Sequence, residues 1–153
     1  MLATLFGVSG RLVASDGADD EGAESQKHVI EGVWQGMETI RDCSTQAVLF
    51  SFPTMEIYLR GGGLLVTTSS PAAIRATGMG AWRHAREANY SSTYQFFTYD
   101  FSGNPAGVLT VSSKIRLAPD ANSYQASSTA VAVDFAGNVL ERGCATREAA
   151  RFQ

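Results

Sequence analysis

From position 29 onward, the sequence alternates short runs of strand-forming residues with turns, and no segment has a sustained helical period. The runs are rich in Val, Thr, Tyr and Phe, whereas the connections carry Gly, Pro, Asn and Asp. This pattern predicts an all-β domain of eight strands. The predicted strands cover residues 29–41, 46–59, 64–69, 79–87, 89–100, 106–117, 123–135 and 138–150, the last kinked or broken near Gly143.

Two of the connections share the pattern Asp-Phe-x-Gly-Asn, and they begin at Asp100 and Asp134. In each, the Asp can accept local backbone N–H bonds, and the Gly can take the left-handed conformation beside a bulge. Their spacing is about two strands plus two turns, so we expect both hairpins at the same end of an antiparallel meander. Gly61–Gly63 and Pro119–Asn122 have the composition of two further tight turns.

An eight-stranded meander without helices leaves one face and both edges of its sheet exposed unless the sheet closes. Closure into a barrel buries the inner face and pairs the first strand with the last. We therefore predict an eight-stranded antiparallel up-and-down barrel, with a β-sandwich as the alternative.

The positions of the two cysteines provide a test of whether the sheet closes into a barrel. Cys43 follows the first predicted strand, and Cys144 lies in the last. If these strands pair antiparallel across a barrel seam, the two thiols come within bonding distance, so we predict a disulfide. Two unpaired buried cysteines are the alternative. A disulfide would indicate an exported or periplasmic protein, and free thiols a cytoplasmic one.

Composition and charge exclude several classes of protein. A formal net charge of −3 offers no electrostatic footprint for nucleic acid, and no apolar run reaches the roughly 18 residues of a membrane-spanning helix. The stretch Asp16–Ser25 is acidic and lacks large apolar residues. We predict that residues 1–28 form a disordered leader or a degenerate signal segment, and that residues 29–153 form the barrel domain.

The tripeptide Gly-Val-Trp at positions 32–34 resembles the Gly-x-Trp signature of the lipocalins. In that family the Trp closes the floor of the barrel and a basic residue near the last strand packs across it, a role that Arg147 or Arg151 would take here. The stretch Gly78–Trp82 is similar to small bacterial lipocalin-like proteins, and the resemblance extends to the wider calycin-like group of eight-stranded barrels. It implies a lumen for a small hydrophobic or amphipathic molecule.

Strand alternation indicates which side chains could line such a lumen. Glu38 shares a face of the first strand with Trp34, unless a bulge between them turns Glu38 to solvent. Glu56 shares a face with Tyr58, but we expect Pro53 to reset the alternation, which leaves the direction of Glu56 open. The predicted ligand-binding residues are Trp34, Glu38, Glu56, Tyr58, Trp82, His84, Tyr94, Phe96 and Tyr124.

One short strand combines Trp82, His84 and Arg86 on a single face. Projecting into one cavity, these groups could bind a carboxylate or an enolate, with His84 as an acid or base near neutral pH. A solvated outer face is the alternative, and we favour it slightly, because Ala81 and Ala85 would then fill the interior.

The fifth predicted strand carries aromatic residues on both faces, since Tyr94 and Phe96 alternate with Phe97 and Tyr99. One face belongs to the core. The other would pack against the leader or against a partner, which includes a second copy in a homodimer. Small side chains from Ala126 to Ala132 leave space in a lumen.

Catalytic and cofactor signatures are missing from the sequence. The two His and two Cys lack metal-ligand spacing, no Gly-x-Ser-x-Gly motif occurs, and the Gly61–Gly63 turn lacks the Lys and helix of a phosphate-binding loop. We therefore assign no catalytic residue, metal or cofactor, and leave open whether the protein is an enzyme. The sequence predicts binding of a small hydrophobic or amphipathic molecule. The alternatives are a barrel cyclase or isomerase acting on a polyene or polyketide-like substrate, and a filled-core interaction module.

Overall fold

Eight antiparallel strands close into a barrel in the computed structural model, which describes residues 30–69 and 76–153. Each strand pairs with its neighbours in sequence, and β1 pairs with β8 to close the sheet, so the predicted up-and-down barrel is confirmed. The predicted leader lies outside the described residues. The strands are β1 Gly32–Arg41, β2 Val48–Tyr58, β3 Gly63–Thr68, β4 Gly78–Arg86, β5 Asn89–Tyr99, β6 Pro105–Leu117, β7 Ser123–Asp134 and β8 Val139–Arg151.

Exposure alternates along the strands and separates an inner from an outer face. In β5, Tyr90, Ser92, Tyr94 and Phe96 are buried, whereas Phe97 on the opposite face is 57% exposed. The face with Tyr94 and Phe96 therefore forms part of the core. Within the two described ranges, the chain has no helix of the length and apolarity needed to cross a membrane.

Pro53 does not reset the alternation of β2, contrary to the prediction. The pairing with β1 runs in continuous register along β2 from Tyr58 to Phe50, so Glu56 lies on the inner face. The carbonyl of Pro53 accepts a bond from the Ser69 N–H at 3.0 Å, beyond the last residue of the β2–β3 ladder. A residue without an N–H is tolerated there because that ladder has already ended.

The last strand also departs from the prediction, since β8 runs unbroken through Gly143. The irregularity lies in its pairing with β7, where the register shifts between Ala132 and Val133. Ala130 still pairs with Gly143, so the ladder continues past the glycine. A glycine in a strand that is paired in this way costs conformational entropy but does not by itself end the strand.

The two Asp-Phe-x-Gly-Asn turns lie at the same end of the barrel, as predicted. Asp100 and Asp134 each accept two backbone N–H bonds within their own turn, at 2.8–2.9 Å. Gly103 and Gly137 adopt φ angles of 82° and 89°. This end, which also holds the β1–β2 turn, is called the upper end; the opposite end, with the Leu59–Gly63 turn, is the lower end.

Cys43 and Cys144 link the β1–β2 turn to β8 at the upper end. Their sulfur atoms lie 2.17 Å apart and their Cα atoms 5.2 Å apart, which confirms the predicted disulfide. Register explains the approach, because Arg41 pairs directly with Cys144 across the seam. The bond spans 101 residues of sequence, and closing a loop of about that length stabilises a fold by about 4–5 kcal/mol through the unfolded chain.

Trp34 closes the lower end of the barrel. Its side chain is fully buried, its Nε1 donates to the Ile30 carbonyl at 2.8 Å, and its ring packs edge-on against Tyr124 at 5.0 Å between centroids. The Arg151 guanidinium carbon lies 4.4 Å from the indole centroid. The expected buried Trp beneath a basic side chain is therefore confirmed, with Arg151 in that position.

Candidate functional site

Six polar residues from five strands place their side chains inside the barrel, and each residue is at most 5% exposed. They reach one another because all six occupy inner-face positions of strands that surround the same interior. We call this group the polar cluster. It consists of Glu38, Glu56, Tyr58, Tyr94, Tyr124 and Arg147.

Arg147 lies at the centre of the polar cluster. Its Nε donates to Glu38 and its Nη1 forms an ion pair with Glu56. Its Nη2 donates to the Tyr94 hydroxyl at 2.6 Å. Burial lowers the pKa of Arg147, and the Glu38 carboxylate opposes that shift. A guanidinium keeps its charge even so, and its rigid fork of donors links β8 to three other strands.

Glu56 accepts hydrogen bonds from two buried tyrosines. Tyr58 donates its hydroxyl to Glu56 Oε2 at 3.0 Å, and Tyr124 donates to the same oxygen. Burial raises the pKa of both tyrosines well above the usual value of 10.0. The two hydroxyls therefore remain neutral near neutral pH and keep donating hydrogen bonds to the Glu56 carboxylate.

The polar cluster brings acidic and basic side chains into contact away from water. Glu38 and Glu56 contribute two carboxylates, and Arg147 contributes one guanidinium. Removing charges from water is costly unless each is paired and hydrogen-bonded. Arg147 contacts both carboxylates, so its guanidinium is the group through which the two glutamates are paired.

Above the cluster, toward the upper end, the inner face is small or apolar and only half-buried. The lower end is closed by Trp34, so inward-facing side chains of a closed sheet contact water through the upper end. Side chains below the cluster, such as Leu64 and Leu117, are almost fully buried instead. The half-buried residues form what we call the upper cup: Ile40, Phe52, Leu109, Ala130, Ala132 and Ala145.

The predicted group of Trp82, His84 and Arg86 is not formed. Trp82 lies in the interior, where its Nε1 donates to the Leu59 carbonyl at 2.9 Å, and the half-buried His84 has its Nε2 2.7 Å from the Glu87 carbonyl. A register shift between His84 and Arg86 leaves Arg86 exposed. The favoured outer-face alternative is also wrong for Trp82, because the indole fills the core.

The predicted site residues thus separate by depth. Glu38, Glu56, Tyr58, Tyr94 and Tyr124 belong to the polar cluster, and Phe96 is buried beside Tyr94 with ring centroids 5.6 Å apart. Alternation predicted a common face for Tyr94 and Phe96, whereas the directions of Glu38 and Glu56, left open by the sequence, are inward in the structure. Trp34 and Trp82 lie deeper and close the lower half, so they are not placed to contact a molecule in the upper cup.

Several inner polar side chains were not selected from the sequence. Ser92, Ser113 and Ser128 lie side by side across β5, β6 and β7, and the hydroxyls of Ser113 and Ser128 are 2.8 Å apart. Ser92 Oγ and Thr54 Oγ1 are buried without a hydrogen-bond partner among the described residues. Each of them lies an even number of residues from an inner residue of its own strand, as Ser92 does from Tyr94. This spacing was the sequence feature that could have identified them.

The described part of the chain contains no group of three His, Cys, Asp or Glu side chains arranged to hold a metal ion. The likeness to lipocalins consists of the closed barrel and the buried Trp34, and membership of that family stays a prediction. Comparison of the chain with protein-family models, with curated proteins and with solved structures found no match.

Proposed function

We propose that the protein binds one small amphipathic molecule in the upper half of the barrel. The observation that carries this proposal is the change along the interior, from the half-buried apolar upper cup to the buried, charged polar cluster. An interior of this kind suits a ligand with an apolar body and a polar head group.

Support for the apolar part comes from the uneven sizes of the upper-cup side chains. Ile40, Phe52 and Leu109 are large, whereas β7 and β8 contribute Ala130 and Ala145. The interior of an eight-stranded barrel is just wide enough to be filled by side chains or to hold one small ligand. Alanines on two adjacent strands favour the second outcome.

Support for the polar part comes from the position of Glu38. In register it lies between Phe52 on β2 and Arg147 on β8. Its side chain is 6% exposed, compared with 1% for Glu56. A head group that enters from the upper cup would therefore meet Glu38 before the other carboxylate.

The test is titration of the protein with an apolar fluorescent probe. We expect wild-type protein to bind it in the micromolar range, because apolar burial at about 25 cal/mol per Å² must offset the cost of association. Ala130→Phe should fill the upper cup and abolish binding. Thr129→Phe, an outward-facing change at the adjacent position of β7, should leave binding intact.

Failure of wild-type protein to bind would contradict the proposal and favour the filled-core interaction module. Equal binding by wild type and Ala130→Phe would place the probe outside the upper cup. The variants are informative only if they fold, so the disulfide-intact proteins should first be compared by circular dichroism.

Catalysis at the upper cup is the second candidate, favoured by the buried contacts of Glu56 with the neutral hydroxyls of Tyr58 and Tyr124. A cyclase or isomerase for a polyene or polyketide-like substrate needs mainly shape and a few acid–base groups. Incubation with such a substrate, followed by product analysis, separates the two candidates. Turnover that is lost in both Ala130→Phe and Glu38→Gln would support an enzyme, whereas binding without turnover supports a carrier.

A further inference from the structure

We propose that the acidic segment Asp16–Glu24 of the same chain docks in a basic groove on the outer wall of the barrel. The segment precedes the described residues and contains five Asp or Glu side chains within nine positions. Its docking surface is the outward face of β4 to β7, which the proposed function does not use. The inference is therefore independent of any ligand in the barrel interior.

Two adjoining grooves mark this part of the outer wall. Their volumes are about 580 Å³ and 990 Å³, and both are lined by Arg83, Ser91, Lys114 and Ser127. These four residues lie side by side in register on β4, β5, β6 and β7. Their side chains are exposed or half-buried, so the shared lining faces the solvent outside the barrel. We call the combined surface the basic groove.

The basic groove carries cations that lack acidic partners. Arg86 and Arg116 join Arg83 and Lys114 in the lining of the larger groove. None of these four side chains forms an ion pair with another residue in the described part of the chain. Glu148 contributes the one carboxylate that the described residues place in the lining of either groove. Four cations facing a single carboxylate attract an anionic partner.

The acidic segment supplies the opposite charge from within the same molecule. Its carboxylates have no basic residue among them, since the nearest ones in sequence are Arg11 and Lys27. Because the segment is tethered to the barrel, its effective concentration at the basic groove is about millimolar. An external polyanion would instead approach a chain whose formal net charge is −3. The tethered segment is therefore the favoured occupant.

The chain enters the barrel close to the basic groove. Ile30 lies at the lower end, where its carbonyl accepts the Trp34 Nε1–H bond. Arg86 ends β4 and Arg116 is the penultimate residue of β6, so both also lie near the lower end. The chain from Glu24 to Ile30 spans about 20 Å when it is extended. The path from β1 across β8 and β7 to β6 is about 14 Å, so the segment is long enough to reach the groove.

Carbodiimide cross-linking of the full-length protein provides the test. The reagent forms an amide between a carboxylate and an amine that are in contact, and itself takes up the water that is released. Lys114 and Lys27 are the two lysines of the chain, so the Lys114 products are simple to assign by mass spectrometry. We expect an amide between Lys114 and a carboxylate of Asp16–Glu24 in the monomeric protein. Its yield should fall about fivefold or more in 1 M salt, where charges are screened beyond about 3 Å.

Arg83→Gln combined with Arg116→Gln removes two cations from the basic groove and leaves Lys114 in place. We expect the yield of the Lys114 product to drop about fivefold, as for the loss of two surface ion pairs. The matched control is Arg142→Gln, which removes an exposed cation from the upper half of β8. Its yield should equal that of wild type.

The acidic segment is tested in the same way. Asp19→Asn, Asp20→Asn and Glu21→Gln, combined, remove three of its charges outside the folded barrel. We expect the yield of Lys114 products with the remaining carboxylates of the segment to fall about fivefold or more. Glu141→Gln, on β8, is the control and should leave the yield unchanged.

Each contrary result would overturn the docking. Such results are a Lys114 that forms no product with the segment, a yield that does not change in 1 M salt, and a loss in Arg142→Gln as large as in the groove variant. Cross-links that occur only in covalent dimers would place the segment on a second copy and overturn the intramolecular contact. The salt series on wild-type protein decides the question even if the groove variant does not fold.

Discussion

Glu38 and Arg147 face each other across the seam between β1 and β8, and the Arg147 Nε donates to the Glu38 carboxylate inside the barrel. The same seam carries the disulfide of Cys43 and Cys144 at the upper end. At the lower end, Arg151 pairs with Trp34 in register and stacks on its indole. A disulfide, an ion pair and a cation–π contact thus join β1 and its turn to β8 at the upper end, in the middle and at the lower end of the barrel. Each contact leads to a separate prediction.

Arg147→Ala should destabilise the protein by about 3–5 kcal/mol, because two buried carboxylates would lose their cation. Urea denaturation of variant and wild type measures the change. Arg142→Ala, at an exposed position of the same strand, should change the free energy of unfolding by less than about 0.5 kcal/mol. A cost below about 1 kcal/mol for Arg147→Ala would mean that the cluster contributes little to folding.

Trp34→Ala should cost about 3–5 kcal/mol in free energy of unfolding, because the indole is fully buried and closes the lower end. Arg151→Ala should cost less, about 0.5–2 kcal/mol for the contact between its guanidinium and the ring. Phe97→Ala, on the exposed face of β5, is the control and should be nearly neutral. An equal loss of unfolding free energy in Phe97→Ala and Trp34→Ala would contradict the conclusion that Trp34 closes the lower end of the barrel.

Reduction of the disulfide, or the paired change Cys43→Ser and Cys144→Ser, should lower the free energy of unfolding by about 2–5 kcal/mol. Thermal unfolding with and without reductant gives the difference, and mass spectrometry of the oxidised protein should show two fewer hydrogens than the reduced form. An unchanged Tm after complete reduction would show that the ionic and cation–π contacts suffice to close the seam.

Stability should also fall at alkaline pH. Burial raises the folded-state pKa of Tyr58 and Tyr124 above the unfolded value of 10.0. The stability that their neutral forms contribute is fully present below about pH 10 and is lost as the pH rises toward the folded values, since the unfolded chain releases its protons first. Free energies of unfolding measured from about pH 8 to about pH 12 should decline above pH 10.

Tyr58→Phe should make this alkaline decline shallower, because one of the two buried hydroxyls is removed. The variant also removes a donor to Glu56, so a lower stability near neutral pH is expected alongside the shallower slope. An alkaline slope identical to that of wild type would indicate that Tyr58 ionises without unfolding.

Local patterns were sufficient for most of the fold. Alternation placed Tyr94 and Phe96 in the core, and turn chemistry placed the Asp100 and Asp134 hairpins at one end. Both signals act within a strand or a turn, where backbone geometry and the nearest hydrogen bonds decide the outcome. The disulfide followed from closure, because antiparallel pairing of first and last strands leaves little freedom at the seam.

Two local errors show where such reasoning fails. Pro53 lacks an N–H, but its effect depends on whether a partner strand needs that donor, and the β2–β3 ladder ends at Thr54, the residue next to Pro53. Arg86 has the parity of Trp82, yet the register shift after His84 turns it outward. Both outcomes depend on the length and register of a neighbouring strand, which a single segment does not encode.

The sequence by itself predicted a closed meander of eight strands and a contact between Cys43 and Cys144, and its Gly-x-Trp resemblance predicted that Trp34 closes one end. Only the tertiary structure decided that Arg147 meets Glu38, 109 residues before it on β1, and Glu56 on the next strand, β2. The physical reason is that strand alternation specifies whether a side chain points inward, whereas the stagger between strands around the barrel specifies which inward side chains share a level. The contacts of the polar cluster follow from that stagger.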